Sequence, residues 1–115
     1  MHEMGIAYSV LDAVRHESGL RQGAHVTKVG VRIGELAAVD PESLRFCFEA
    51  LVSGTDLEPL ALELEFCPRR NRCRRCGELF RVAGFPLTCP KCTSAETEFA
   101  EGDELAFAYM EIEET

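Results

Sequence analysis

What the chain lacks narrows it first. Across 115 residues no stretch approaches the roughly 20 consecutive apolar residues that a membrane span requires. The start, Met1-His2-Glu3-Met4-Gly5, has neither the basic n-region nor the apolar h-region of a secretory signal. Together these absences predict a cytoplasmic protein. There is no P-loop, no nucleophile elbow and no open three-ligand metal motif, so enzymatic chemistry is not expected. Repeats of domain size and low-complexity tracts are absent as well. The length suits one ordinary domain and excludes a large multi-domain enzyme. With 46% hydrophobic and 28% charged residues, the chain is too apolar to be a disordered acidic polymer.

Cysteine, by contrast, is plentiful, with six residues. In a reducing compartment clustered thiols serve a metal or redox chemistry more often than a disulfide framework. The net charge of -8 conceals a second feature. Residues 69 to 91 carry seven basic groups (Arg69, Arg70, Arg72, Arg74, Arg75, Arg81, Lys91) against Glu78, or +6, while the remainder carries -14. Two modules of opposite charge share the chain. The acidic surroundings argue against nucleic-acid binding, which gains its affinity by neutralising phosphates.

Along the chain, Ile6, Val10, Leu11 and Val14 form the stripe of an amphipathic helix from Gly5 to about Ser18, with Gly19 as its stop. Residues 25 to 34 alternate through Val26, Val29, Val31 and Ile33 as a strand. Asp40-Pro41 marks an N-cap and a first-turn proline, after which Leu44, Cys47, Phe48 and Leu51 define a second helix that Gly54 ends. Residues 60 to 66 alternate Leu60, Leu62, Leu64 and Phe66 against Glu63 and Glu65. The alternation returns in Leu105, Phe107, Tyr109 or Met110, and Ile112. The expected fold is α+β: two helices packed on a small three-stranded sheet, with an inserted four-cysteine zinc-ribbon subdomain. Residues 1–66 and 100–115 would form the α/β body, and 67–99 the insertion.

The insertion holds Cys73-Arg-Arg-Cys76-Gly and Cys89-Pro-Lys-Cys92-Thr, two Cys-x-x-Cys pairs twelve residues apart. A tight turn places two thiolates on one edge of a tetrahedron with backbone N–H groups aimed at sulfur, and a hairpin brings the second pair opposite. Zinc is the expected metal, although both knuckles also resemble rubredoxin's and spacing alone does not separate zinc from iron. Four protein ligands close the site, so its expected role is to hold the segment folded. Leu79, Phe80, Val82 and Phe85 offer a small apolar patch, and the arginines offset the net negative charge of a zinc tetrathiolate. Cys47 reads as a small core hydrophobe. Cys67, six residues from Cys73 and beside Pro68, fits no knuckle and reads as structural.

At the amino terminus, an α-amine with a pKa of about 8, an imidazole with one of about 6.5 and the intervening amides can form fused chelate rings around Ni(II) or Cu(II). A residue as bulky as His2 in second position also disfavours removal of Met1. His16 and His25 match no motif and read as surface residues.

Met1-His2-Glu3-Met4 leading into a helix, the pairs Cys73/Cys76 and Cys89/Cys92, and Gly102-Asp103-Glu104-Leu105 before an acidic last strand resemble the HypA/HybF nickel metallochaperones of [NiFe]-hydrogenase maturation. The resemblance covers essentially the whole chain. It implies that His2 binds nickel with the Met1 amine and main-chain nitrogens of His2 and Glu3, and that the four cysteines hold structural zinc. It also implicates Asp40, beside that residue's role as a helix cap. The implied partners are a HypB-type GTPase and the precursor of a hydrogenase large subunit, with a homodimer left open. The competing reading is a zinc-ribbon module that docks nucleic acid or an acidic protein through arginines 69 to 75.

Overall fold

The computed structural model describes residues 2–20, 24–84 and 86–114. Met1, expected to supply an amine ligand, and Phe85, expected in the apolar patch of the insertion, lie outside them.

Helix α1 (Glu3–Leu20) buries Ala7, Val10, Leu11 and Val14. These positions recur at intervals of three and four, so they share one side of the cylinder. Strand β1 (Ala24–Gly34) follows, then a short 3-10 turn (Glu35–Ala37) and helix α2 (Pro41–Val52). Asp40 caps α2 as its sequence suggests: Oδ1 accepts from the amides of Glu42 at 3.0 Å and Ser43 at 3.4 Å. Pro41 occupies the first turn, where a missing N–H costs nothing. Leu44, Phe48 and Val52 are buried along α2. Complete burial of Leu44 and Phe48 contributes on the order of 2 kcal/mol for each side chain.

The remaining elements are β2 (Ala61–Cys67), β3 (Arg70–Cys73), β4 (Leu79–Arg81), β5 (Thr97–Glu101) and β6 (Leu105–Glu114). Among the described residues these five strands and β1 form two three-stranded sheets, ordered β2-β1-β6 and β4-β3-β5. The fold is α+β, with two helices and a ribbon-like insertion. Among the described residues there are two compact units. The first holds α1, α2, β1 to Arg32, β2 to Glu65 and β6 from Ala106; the second holds Ile33–Ala37 and Phe66–Leu105.

The first unit's sheet carries its own cross-strand network. Lys28 pairs with Glu63 and Arg32 with Glu65, each at 3.5 Å, and the Tyr109 hydroxyl donates to Glu63 Oε1 at 2.5 Å. The Tyr109 hydroxyl first, and then the Lys28 charge, hold the Glu63 carboxyl below its usual range. Glu63 in turn pushes the Tyr109 phenol up to about 12.

Two expected burial patterns differ in the structure. Leu60 and Leu62 are buried, but Phe66 is 54% exposed: it belongs to the second unit, whereas Leu60 and Leu62 belong to the first. On β6, Leu105 and Phe107 are about 40% exposed.

In the second unit three backbone segments crowd together. The Gly34 amide donates to the Glu104 carbonyl at 2.6 Å, and the Leu36 amide to the Gly102 carbonyl at 2.7 Å. The Arg69 amide donates to Glu35 Oε1 at 3.0 Å. A Cβ on Gly34 would lie 2.3 Å from the Gly102 carbonyl, and one on Gly102, whose φ is +122°, would lie 2.5 Å from Arg69 Cα. Only glycine fits either position.

Candidate metal centre

Strand β3 turns Arg70 and Arg72 outward and buries Asn71 and Cys73, so the two-residue period of a strand delivers the first thiol. The Asn71 amide nitrogen donates to the Thr97 hydroxyl, which donates onward to the Leu87 carbonyl at 2.8 Å. This ties β3 to β5 and to the segment ahead of the second cysteine pair. Strand β3 pairs antiparallel with both β4 and β5.

The two knuckles repeat one hydrogen-bond pattern. In the first, the Cys73 amide donates to the Glu78 carbonyl and the Gly77 amide to the Cys73 carbonyl, at 2.9 and 3.0 Å. In the second, the Cys89 amide donates to the Ser94 carbonyl and the Thr93 amide to the Cys89 carbonyl, both at 2.9 Å. Each turn aims two amides at its first sulfur: those of Arg75 and Cys76 at Cys73 Sγ (3.4 and 3.5 Å), and those of Lys91 and Cys92 at Cys89 Sγ (3.3 and 3.5 Å). Both turns need a left-handed residue at their end, with φ of +81° at Gly77 and +64° at Thr93. Glycine meets this freely, whereas a β-branched side chain there is strained.

The four sulfurs converge. Cys73 and Cys92 Sγ are 3.5 Å apart, Cys76 and Cys89 Sγ 3.6 Å, and all four lie within 4.8 Å of one another. These are not disulfide distances, which are about 2.05 Å. Four thiolates bound about 2.3 Å from a tetrahedral centre stand about 3.8 Å apart, so the donor set fits a tetrahedral thiophilic metal. Cys73 and Cys89 are 1% exposed, Cys92 is half-buried and Cys76 faces solvent. The Cys76 amide, with that of Arg75, pulls the Cys73 thiol down to about 6. Cys76 is drawn down by the Glu78 amide, yet desolvation and its hydrogen bonds with Cys89, Cys73 and Cys92 push it up to about 11. One thiol therefore gives up its proton much more readily than its neighbour.

The basic residues around the cluster are partly answered by acids that lie later in the chain. Arg70 pairs with Glu101 at 3.0 Å and Arg74 with Glu98 at 3.1 Å, both acids on β5. Arg72 donates to the Gly77 carbonyl at 3.1 Å. The docking strip envisaged for arginines 69 to 75 thus has two of its five arginines paired with carboxylates. Cys67 stands apart from the four-sulfur cluster, hydrogen-bonding the Glu104 carboxyl. Cys47 is half-buried on α2.

In the first unit, His2 is exposed and immediately precedes α1, and its carbonyl accepts the first helical bond, from the Ile6 amide at 3.2 Å. The amides of the following turn have no preceding carbonyl in the helix to bond. Glu3 opens the helix, and its Oε2 accepts from the Asp40 amide at 3.3 Å. The structure thus brings together Glu3 and Asp40, 37 positions apart. Sequence patterning had no signal for this contact, because one partner is a main-chain N–H that every residue except proline carries. His16 and His25 are exposed.

The sequence relatives agree with one another. The family of hydrogenase/urease nickel incorporation metallochaperones, HypA, matches residues 1–112. The hydrogenase maturation factor HypA of Chlorobaculum parvum is 37% identical over 113 residues, covering 98% of this chain and 100% of that protein. Its counterpart in Chlorobium limicola is 39% identical over 115 residues, covering 99% and 98%. Among solved structures, the solution structure of the Ni metallochaperone HypA from Helicobacter pylori has a TM-score of 0.63 at 22% identity, covering 96% of this chain and 97% of that one. A second solution structure of a HypA protein reaches 0.70 at 23% identity, covering 96% and 95%. At such identities the solved structures speak for the fold, and the full-length sequence match speaks for the family. The chain belongs to the HypA family of nickel metallochaperones, the carriers of hydrogenase maturation.

Proposed function

We propose that the chain binds one Ni(II) at its amino terminus and passes it, with a GTPase partner, to the precursor of a hydrogenase large subunit in the cytoplasm. The ligands are the His2 imidazole, the Met1 amine and the main-chain nitrogens of His2 and Glu3. Cys73, Cys76, Cys89 and Cys92 hold a structural zinc. The nickel-binding body comprises residues 1–66 and 100–115, and the zinc-binding subdomain 67–99.

The observation that carries this reading is the place of His2, exposed and one residue ahead of α1. A cation at a helix N-terminus meets the positive end of the dipole, which disfavours it. Deprotonated amides reverse that sign, and the first turn is where amides are free of helical partners. An exposed chelate also exchanges its cargo, as a carrier must, whereas the four-sulfur cluster is closed. The two metal positions therefore have different tasks, cargo at the terminus and folding at the cysteines.

Because the amine, imidazole and amides all lose protons on binding, nickel affinity rises with pH between about 6 and 8. Calorimetry across that range is the test. Affinity that stays flat contradicts the terminal chelate.

A further inference from the structure

The four sulfurs of the cluster are unequally placed. Cys73 and Cys89 are 1% exposed and Cys92 is half-buried, whereas Cys76 faces solvent. We propose that Cys76 is an oxidative modification site: a hydroperoxide attacks its sulfur first, and Cys89, across the cluster in the other knuckle, resolves the product as a disulfide. The proposal goes beyond nickel carriage and rests on the reading that the four cysteines hold zinc.

Access and hydrogen bonding both single out Cys76. Binding of zinc takes the proton from each ligand thiol, so protonation no longer separates the four sulfurs. Exposure does, because oxidation follows thiolate character and access together. Each buried first sulfur also accepts two amides, those of Arg75 and Cys76 at Cys73, and those of Lys91 and Cys92 at Cys89. The Cys76 sulfur accepts from the Glu78 amide. Hydrogen bonds stabilise a thiolate and lower its nucleophilicity, which leaves Cys76 the readier to react. Cys47 and Cys67 are half-buried and stand outside the cluster, and Cys67 hydrogen-bonds the Glu104 carboxyl. A thiol outside a metal site is mostly protonated at neutral pH and is the slower nucleophile.

The resolving partner follows from the spacing of the sulfurs. Cys76 Sγ lies 3.6 Å from Cys89 Sγ, and Cys73 Sγ lies 3.5 Å from Cys92 Sγ, so both short contacts cross between the knuckles. A disulfide is about 2.05 Å long, and the Cys76–Cys89 gap closes to it by about 1.5 Å of movement. In the first step the Cys76 thiolate takes the terminal oxygen of the hydroperoxide, the O–O bond breaks, and hydroxide or alkoxide leaves. In the second, the Cys89 thiolate attacks the Cys76 sulfenic acid at sulfur and displaces hydroxide. Two thiolates have lost two electrons in all, and the hydroperoxide has gained them. Cys73 and Cys92 are then the remaining ligands, too few for a closed site, so the metal leaves. The new bond closes the loop 77–88 and keeps the knuckles together until a thiol reductant reopens it.

The test treats untagged, zinc-loaded wild type with hydrogen peroxide, reading zinc release with a colorimetric chelator and the cysteines by mass spectrometry. With dimedone present to trap sulfenic acids, the adduct is expected on Cys76, about fivefold or more above any other cysteine. Without dimedone, the expected product is the peptide pair joined through Cys76 and Cys89, formed in step with zinc release. Cys67→Ser, which leaves the cluster intact, is expected to react at the wild-type rate. A first adduct on Cys47, Cys67 or a buried sulfur would overturn the proposal, as would a first disulfide within one knuckle, between Cys73 and Cys76. Both readouts use the wild-type chain, so neither depends on how a cluster variant folds. Metal analysis before peroxide is added tests the zinc reading by itself: absence of zinc defeats that reading, whereas zinc present with first attack elsewhere defeats the proposal alone.

Discussion

Tyr109 occupies the space that a side chain on Gly30 would need: a Cβ built there would fall 2.1 Å from Tyr109 Cε1. The ring lies over β1 and reaches Glu63 on the far strand, so β6, β1 and β2 are tied by one hydroxyl. Gly30→Ala displaces a ring rather than backbone and is expected to cost about 1 kcal/mol, measured by urea denaturation. The same variant should lose the hydrogen bond to Glu63.

That bond has a pH signature. The phenol is an acid whose folded pKa is raised to about 12, so its contribution to stability is fully present below the ordinary tyrosine value near 10 and is lost as pH rises towards 12. Wild type is expected to lose stability over that window more steeply than Tyr109→Phe. Parallel thermal-unfolding curves for the two proteins between pH 9.5 and about 12 would contradict the assignment.

Thr93 sits at φ +64° where the matching residue of the first knuckle is Gly77. A left-handed β-branched residue costs on the order of 1–2 kcal/mol, part of which glycine returns as unfolded-state entropy. Thr93→Gly is expected to stabilise the zinc-loaded protein by about 1 kcal/mol and to slow zinc release to a colorimetric chelator. Release at the wild-type rate would show that the strain is not felt at the metal.

Removal of zinc should act locally at first. Among its described residues the second unit buries few large side chains besides its cysteines, so chelation at mildly acidic pH is expected to abolish protection of amides in β3, β4 and β5. The helical circular dichroism from α1 and α2 should survive, because their core is made of Val10, Leu11, Val14, Leu44 and Phe48. Simultaneous loss of both signals would mean that the metal stabilises the whole chain.

Gly34 poses a harder constraint than Gly30. The obstacle there is the backbone of Gly102 rather than a movable ring, so Gly34→Ala is expected to cost about 3 kcal/mol or more and to lower the melting temperature far more than Gly30→Ala. Comparable melting temperatures for the two variants would show that this backbone crossing yields.

Much of this was legible in the sequence, for identifiable reasons. The stripe Val10, Leu11, Val14 and the cap Asp40-Pro41 placed both helices, because burial and capping are local in sequence. The cysteine spacing located the four-sulfur cluster, since each knuckle is a four-residue turn. The strands of the ribbon were less legible: Arg70-Asn71-Arg72-Cys73 hides its alternation behind three polar residues, and Asn71 is buried with its amide nitrogen bonded to Thr97. The acids that answer Arg70 and Arg74 lay outside the basic window, on β5. The Glu3–Asp40 contact and the Gly34–Gly102 crossing involve main-chain atoms, which residue types do not reveal.

The central claim is that His2 carries the nickel while the cysteines carry zinc. Metal analysis and nickel titration of untagged wild type beside His2→Ala test it most directly. The account predicts one zinc in each protein and one nickel in the wild type alone. Equal nickel uptake by His2→Ala would contradict it.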